Sequence, residues 1–324
     1  MRESRGMSCN AECIVVVNGS HQALDLIARL TINPGDIVVM EEPSYRAARR
    51  VFSLAQAALR LHQVDDQGLN PAKLPVPTSA VKLVYVTPSQ QFPTGAVMPF
   101  ARRISLLEWA SKADAYILEN DYGRELRYAG RAIEPLQILD REGRVIYMSS
   151  FSKILFPGLR LAYLVLPPEL LPALRAAKWL TDRQTGGLEQ HLLAEFMRNG
   201  DFDRHIRRSR ILNSQQRATL IDALRAHYGD QVSIQGSPGG IHLVAWFHAH
   251  TSESIARLAD LAAKNQIGIY PNTVCYAHPP KMGSLLMGFT AMSELDIRIG
   301  IQLLKQLDDE SSLNVSQIAG SSRI

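Results

Sequence analysis

The sequence predicts an α/β protein built on a mostly parallel sheet with helices on both faces. Three observations predict it. Short apolar runs alternate with amphipathic helical stretches along the first half of the chain. Those runs are continuously apolar, as strands buried on both faces are. Polar residues gather just past their C-terminal ends, the edge where open α/β sheets bind ligands.

The elements follow in order. "ECIVVVNGS" is an apolar run closed by Asn18-Gly19-Ser20, hence a strand and a turn. "HQALDLIARL" carries Ala23, Leu24, Ile27 and Leu30 at helical spacing, and Asn33-Pro34-Gly35-Asp36 stops it. "DIVVMEEPSY", "VKLVYVTPS", "AYILEND", "RVIYMSSFS" and "LRLAYLVLPP" are further strands, with "ISLLEWASK" an amphipathic helix between two of them. After Pro168 a long helical region runs to about Tyr228. "GGIHLVAWF" then reads as a strand, "ESIARLADLAAKN" as a helix and "SLLMGF" as a strand, a smaller α+β unit. "SPGGIH" fits a turn. Trp109, Trp179 and Trp246 read as core, and His242 and His248 as structural or exposed. The last residues are polar, low in aromatics and expected to fray.

Composition excludes several classes. Of 324 residues, 46% are hydrophobic and 20% charged, and the net charge of +4 is slight for this length, which argues against a nucleic-acid binder. The arginines of "RHIRRSR" (Arg204, Arg207, Arg208, Arg210) read as a solvated helix face. Cys9, Cys13 and Cys275 form no C-x-x-C pair and read as reduced thiols, and no run approaches the ~18 apolar residues of a membrane span, so a cytoplasmic location is expected. No phosphate loop, H-E-x-x-H, G-x-S-x-G elbow or metal-ligand cluster is present.

"SSFSKILFPGLRLAY" (149–163) sets one lysine, Lys153, among serines after a strand and seven residues before Arg160. A lysine amine is a poor nucleophile at its ordinary pKa, but it condenses with aldehydes. A phosphate-bearing aldehyde would need hydroxyls, backbone N–H groups and an arginine nearby. Ser150, Ser152 and Arg160, with a helix N-terminus at Gly19-Ser20-His21, could supply them. Pyridoxal 5'-phosphate fits that list. The plain alternative is a lysine in a serine-rich loop, and the residues alone leave both open.

The chain resembles fold-type-I pyridoxal-phosphate aminotransferases. More narrowly, it resembles the aminotransferase-like domain of MocR-type regulators of the GntR superfamily. The likeness runs from about Glu3 to about Leu307. It rests on "NGSHQALDL", "NPGDIVVMEEPSY", "VTPSQQFPTG", "ENDYGRELRY", "SSFSKILFPGLRLAYLVLP", "GGIHLVAW" and "LLMGFTAMSELDIRIGI", in that order.

The resemblance implies roles. Lys153 would bond the cofactor and shuttle a proton. Ser150, Ser152 and Arg160 would hold its phosphate, with Gly19, Ser20 and His21 at the first helix N-terminus. Tyr45 would stack on the ring and Tyr122 would lie by the phenolic oxygen. Read without the resemblance, Tyr45 is a core aromatic and His21 a helix-surface histidine. The resemblance also implies a homodimer acting on an amino acid or amine. It divides the chain into a large cofactor domain (1–200, N-terminally incomplete), a small domain (201–308) and a polar tail (309–324).

Departures from the pattern shape the functional expectation. Asn120 stands where the family carries the aspartate facing the pyridine nitrogen, and Asp121 beside it should point to the other face of the strand. No arginine precedes the "SLLMGF" strand, where Lys281 and Met282 fall. "QFPTG" lacks the asparagine of metabolic aminotransferases. "MRESRGMSCNAE" resembles the end of a helix leading into the domain, so the DNA-binding module of a regulator is expected to be absent from this chain. Two activities therefore stand: an aminotransferase, or an effector sensor with little turnover.

Overall fold

The computed structural model describes residues 9–128, 134–236 and 238–321, with side chains through 311. Residues 1–8 of the expected helix end over 1–12 lie outside the described residues, and the remainder is irregular chain leading into a 3-10 turn at Ala11–Cys13. Ser237 of the "SPGGIH" turn and the last three residues of the tail also lie outside.

The first 200 residues carry β1 (Ile14–Val17), α1 (Ser20–Thr31), β2 (Ile37–Glu42), α2 (Arg46–Leu54), β3 (Ala58–Gln63), β4 (Val81–Val86), α3 (Phe100–Ala113), β5 (Tyr116–Asn120), α4 (Leu136–Leu139), β6 (Val145–Ser150), β7 (Ala162–Val165), α5 (Leu171–Asp182) and α6 (Gly187–Arg198). The seven strands form one sheet in the order β1-β7-β6-β5-β4-β2-β3. The pairs joining β3, β2, β4, β5 and β6 are parallel, while β7 runs antiparallel to both β6 and β1. β4, β5 and β6 read as unbroken apolar runs because both faces are covered. Leu83, Tyr85, Leu118, Ile146 and Met148 pack under α1, and Val84, Val86, Ile117 and Val145 under α3.

α7 (Asp201–Tyr228) leads into a four-stranded antiparallel sheet, β10-β11-β9-β8, made by β8 (Val232–Gln235), β9 (His242–Thr251), β10 (Tyr270–Pro271) and β11 (Met282–Gly288). α8 (Ser252–Lys264) and α9 (Glu294–Ser321) pack on it. Thr251 and Ser254 form a reciprocal capping box that starts α8 straight out of β9.

Several elements differ from expectation. α9 continues through most of the polar tail. The segment holds no proline, and its glycine, Gly320, comes only at the end, so nothing in it stops a helix. Trp179 is not core: it is 57% exposed on α5, with the Arg183 guanidinium 5.5 Å from its ring. β3 and α2 were not legible. β3 is the edge strand "ALRLHQ", half-buried along most of its length, and α2 is masked by three arginines. Arg103 anchors the loop beneath the sheet edge. Fully buried on α3, it donates to the carbonyls of Met98, Pro88 and Glu134 and lies 3.7 Å from Glu119.

Candidate active site

The parallel strands end together at one edge of the sheet, and the polar residues collect there. β1 ends at Val17, and the Asn18-Gly19 turn delivers the N-terminus of α1. Gly19 adopts φ +87°, a left-handed conformation glycine takes without steric cost. No side chain caps α1, so the first N–H groups of the helix stay available to an anion.

Arg160 reaches this turn from the loop after β6, also with a positive φ (+50°). Its Nη2 donates to the Asn18 carbonyl at 3.0 Å. A Cβ at Gly19 would collide with the guanidinium. A non-glycine residue in the left-handed region is costly, and such strain gathers at functional positions. Asp182 at the end of α5 locks the turn from behind. Its Oδ2 accepts from Asn18 Nδ2 and Gln22 Nε2, both at 2.7 Å, and Lys178 Nζ lies within 2.9 Å. Burial works to raise the Asp182 carboxyl, but the bonds from Gln22 and Lys178 outweigh it and hold the pKa below the ordinary value.

The turn after β6 carries the serines and the lysine. Ser150 Oγ accepts from the Ser152 N–H at 3.2 Å. Ser152 Oγ is buried without a partner. Lys153 is exposed and has no polar partner among the described residues.

A belt of rings borders the cleft: His21–Tyr45 at 6.1 Å, Tyr45–Phe92 at 5.9 Å, Phe92–Tyr122 at 6.0 Å and Phe92–His242 at 5.3 Å between centroids. Tyr45 lies close enough to Arg160 to feel its charge, although burial dominates and raises the phenol. The Tyr122 hydroxyl is buried without a partner, and burial holds it protonated. His242 is buried, in line with a structural reading. Burial pushes it down to about 4, assisted by the charge of Lys153, so the ring is neutral at pH 7. His248 is exposed, with Nε2 3.0 Å from Ser233 Oγ.

The floor comes from β5. Asn120 Nδ2 donates to the Tyr85 hydroxyl at 2.8 Å. Asp121 turns the other way, as strand alternation requires: Tyr147 donates to its Oδ2 at 2.7 Å. Phe92 stands where the asparagine is missing, directly before Pro93, and its neighbour Gln91 knits the turn after β4 to β2. Gln91 donates to the Pro43 carbonyl at 2.7 Å and accepts from Thr94 Oγ1 at 2.7 Å.

Gly19, Ser20, His21, Tyr45, Asn120, Tyr122, Ser150, Ser152, Lys153 and Arg160 thus share one sheet edge. Sequence reasoning missed Phe92, Asp182, Tyr85 and the part His242 takes in the wall. Phe92 was inside a quoted motif, whereas Asp182 lies 160 residues from its partner Gln22 and leaves no local signal.

Residues 1–302 match the family described as aminotransferase class I and II. The chain belongs to that family. The probable rhizopine catabolism regulatory protein MocR of Rhizobium meliloti is 34% identical to this aminotransferase-family chain, over 94% of it and 61% of MocR. The aromatic-amino-acid aminotransferase 1 of Thermococcus litoralis is 33% identical, over 94% of this chain and 75% of that enzyme. Among solved structures, the Pyrococcus horikoshii kynurenine aminotransferase, in complex with PMP, superposes with a TM-score of 0.85 at 32% identity, covering 96% of this chain and 78% of that one. The fold is therefore fold type I of the pyridoxal-phosphate aminotransferases. The chain spans 61% to 64% of the length of the first regulators it matches.

Proposed function

We propose that this chain binds pyridoxal 5'-phosphate and transfers amino groups from an amino acid or amine. The observation that carries the reading is the meeting of Arg160 with the uncapped N-terminus of α1 at Gly19, on the same edge as an unpartnered Lys153. The donor set suits the cofactor. A guanidinium, free helix N–H groups and the unpartnered Ser152 hydroxyl match a phosphate. Ser150 and Ser20 border the same place, and Tyr45 offers a ring face to stack on. The unpartnered Tyr122 hydroxyl matches a phenolic oxygen.

When bound, the cofactor supplies an aldehyde that captures amines and a ring that draws electrons from the substrate Cα. Lys153 Nζ is the amine at the cleft able to bond that aldehyde and, once released, to carry a proton to and from Cα. His242, neutral and apolar-facing beside Phe92, keeps the wall dry without competing for that proton. Asn120 offers the ring nitrogen an amide, which hydrogen-bonds it but lends no charge.

Asn120 and a β11 without arginine favour a second reading, an effector sensor with slow turnover. Rapid mixing with amino acids separates the two: a complete single turnover marks an enzyme, and a stable covalent adduct a sensor. The test of the common core is simpler. Pyridoxal phosphate added to the purified chain should give a visible band that borohydride fixes to Lys153 and that Lys153→Ala abolishes. Attachment elsewhere, or none, defeats the reading.

We also propose a homodimer of a cytoplasmic protein that contacts neither membrane nor nucleic acid in this chain. Exposed apolar residues on α5 and α6 support the dimer: Trp179, Leu180, Leu188 and Leu192. The arginines of α7 support the last point, since Arg204 pairs with Asp201 and Arg210 donates to the Glu125 carbonyl. The large and small units are proposed to meet near residue 200.

A further inference from the structure

A cleft outside this site is lined by arginines. It is an open groove of about 400 Å³ between α2 and the segment 272–279, large enough for a small ligand. Arg46, Arg49 and Arg50 form one wall, and Thr273, Val274 and Tyr276 the other.

The three cations are not equivalent. Arg49 is committed to the protein. It donates to the carbonyls of Cys275 at 3.2 Å, Val274 at 3.3 Å and Tyr276 at 3.0 Å, and it lies 3.7 Å from Glu42 Oε2. Glu42 Oε1 accepts from the N–H groups of Ala277 at 2.6 Å and His278 at 3.2 Å. That buried carboxylate forms its ion pair with Arg49. Arg46 and Arg50 are exposed, and among the described residues no anion faces either.

Their placement is unfavourable as it stands. They lie four residues apart on one helix, where like charges repel. Arg46 is the first residue of α2, at the positive end of the helix dipole, where the first turn has no acidic residue and Tyr45 gives no side-chain cap. A bound anion would relieve both repulsions at once. Thr273 adds a hydroxyl to the opposite wall, and Asn272 beside it is fully buried with neither amide atom partnered.

We infer that this cleft binds a small, multiply charged oxyanion of the phosphate-monoester or dicarboxylate class, held between Arg46, Arg50 and Thr273. Two guanidinium groups suit a dianion better than a single carboxylate. The inference stands apart from the cofactor reading, because none of these side chains belongs to the Gly19–Arg160 cradle.

The test is calorimetric titration of the full-length chain at low ionic strength with inorganic phosphate and, separately, succinate. An Arg160→Gln background removes the other candidate phosphate site. In that background at least one anion should bind with a Kd near ~1 mM or tighter. Adding Arg46→Gln and Arg50→Gln should weaken it by about tenfold or more. Both side chains are exposed, and circular dichroism checks that the variants fold. Tighter binding of phosphate identifies a phosphate-monoester ligand, and tighter binding of succinate a dicarboxylate. No binding of either anion, or binding indifferent to the two arginines, overturns the inference.

Discussion

The Arg160 guanidinium occupies the space a side chain at Gly19 would take and donates to the Asn18 carbonyl at 3.0 Å. A turn from the first strand and a loop from the sixth are thereby fixed to each other, with the N–H groups of α1 aimed at the gap. Gly19→Ala would press a methyl into the guanidinium and force φ +87° on an L-residue, a strain of about 1–2 kcal/mol. The chain should still fold, because the core lies elsewhere. Affinity for pyridoxal phosphate should fall by about tenfold or more. A fluorescence titration of the apo chain reads this directly, and an unchanged Kd would remove Arg160 from the phosphate site.

Asp182 acts one step further back. Its carboxylate accepts from Asn18, Gln22 and Lys178 and touches nothing in the cleft. Asp182→Ala should leave the Lys153 adduct intact while weakening cofactor binding severalfold, through a loosened Gly19 turn. Lys178 is almost wholly buried and would lose its counter-charge, so the variant should also lose about 1–3 kcal/mol of stability. Urea unfolding together with the cofactor titration separates the two effects.

The Asn120 amide is fixed by its bond to the Tyr85 hydroxyl. An aspartate there could accept from the same hydroxyl and would face the ring with a full charge. Asn120→Asp should shift the bound cofactor's absorption and speed amino-group transfer in a single turnover by about tenfold or more. If neither spectrum nor rate moves, residue 120 does not govern the ring nitrogen.

Glu41 makes stability pH-dependent. Burial raises its pKa from 4.5 to about 7, against the opposing bonds from Thr87 and Gln91. Below pH 4.5 the folded and unfolded chains both hold the proton. Between 4.5 and 7 the unfolded chain releases it and the folded chain keeps it. Stability therefore falls as pH rises through that window and levels above 7, by about 3 kcal/mol. Glu119, raised to about 7 by burial, acts in the same direction. Glu41→Gln should flatten the curve by about one proton's worth of slope, measured by urea unfolding from pH 5 to 8. An unaltered slope would show that Glu41 ionises freely in the fold.

How much of this was legible depended on whether a residue's role is local. Strands such as "VKLVYV" and "YILEN" were readable because burial on both faces demands continuous apolar sequence. Lys153, Arg160 and Asn120 could be singled out because each sits in a motif at the end of a strand or in the loop that follows one. Asp182 was not, since the partners that tie it to the turn, Asn18 and Gln22, are far away in sequence and its own helix is ordinary. Trp179 misled for a related reason. Its apolar neighbours at helical spacing look like core, but sequence cannot tell a face buried within the chain from one covered by another copy.

That last ambiguity is testable. Trp179 and Leu180 on α5 and Leu188 and Leu192 on α6 leave large apolar side chains in solvent, and the Leu188–Leu192 spacing of four sets both on one helix face. A stable dimer needs a contiguous apolar centre, and charges at such a centre are costly. Leu192→Glu does not disturb the core, because its side chain is 60% exposed in the isolated chain. Sedimentation should report a dimer for the parent chain and a monomer for Leu192→Glu, with at least a tenfold weaker association, or about 1.4 kcal/mol. The variant's far-UV spectrum should match the parent's. A dimer that survives Leu192→Glu and Trp179→Ala together would assign the interface to another face.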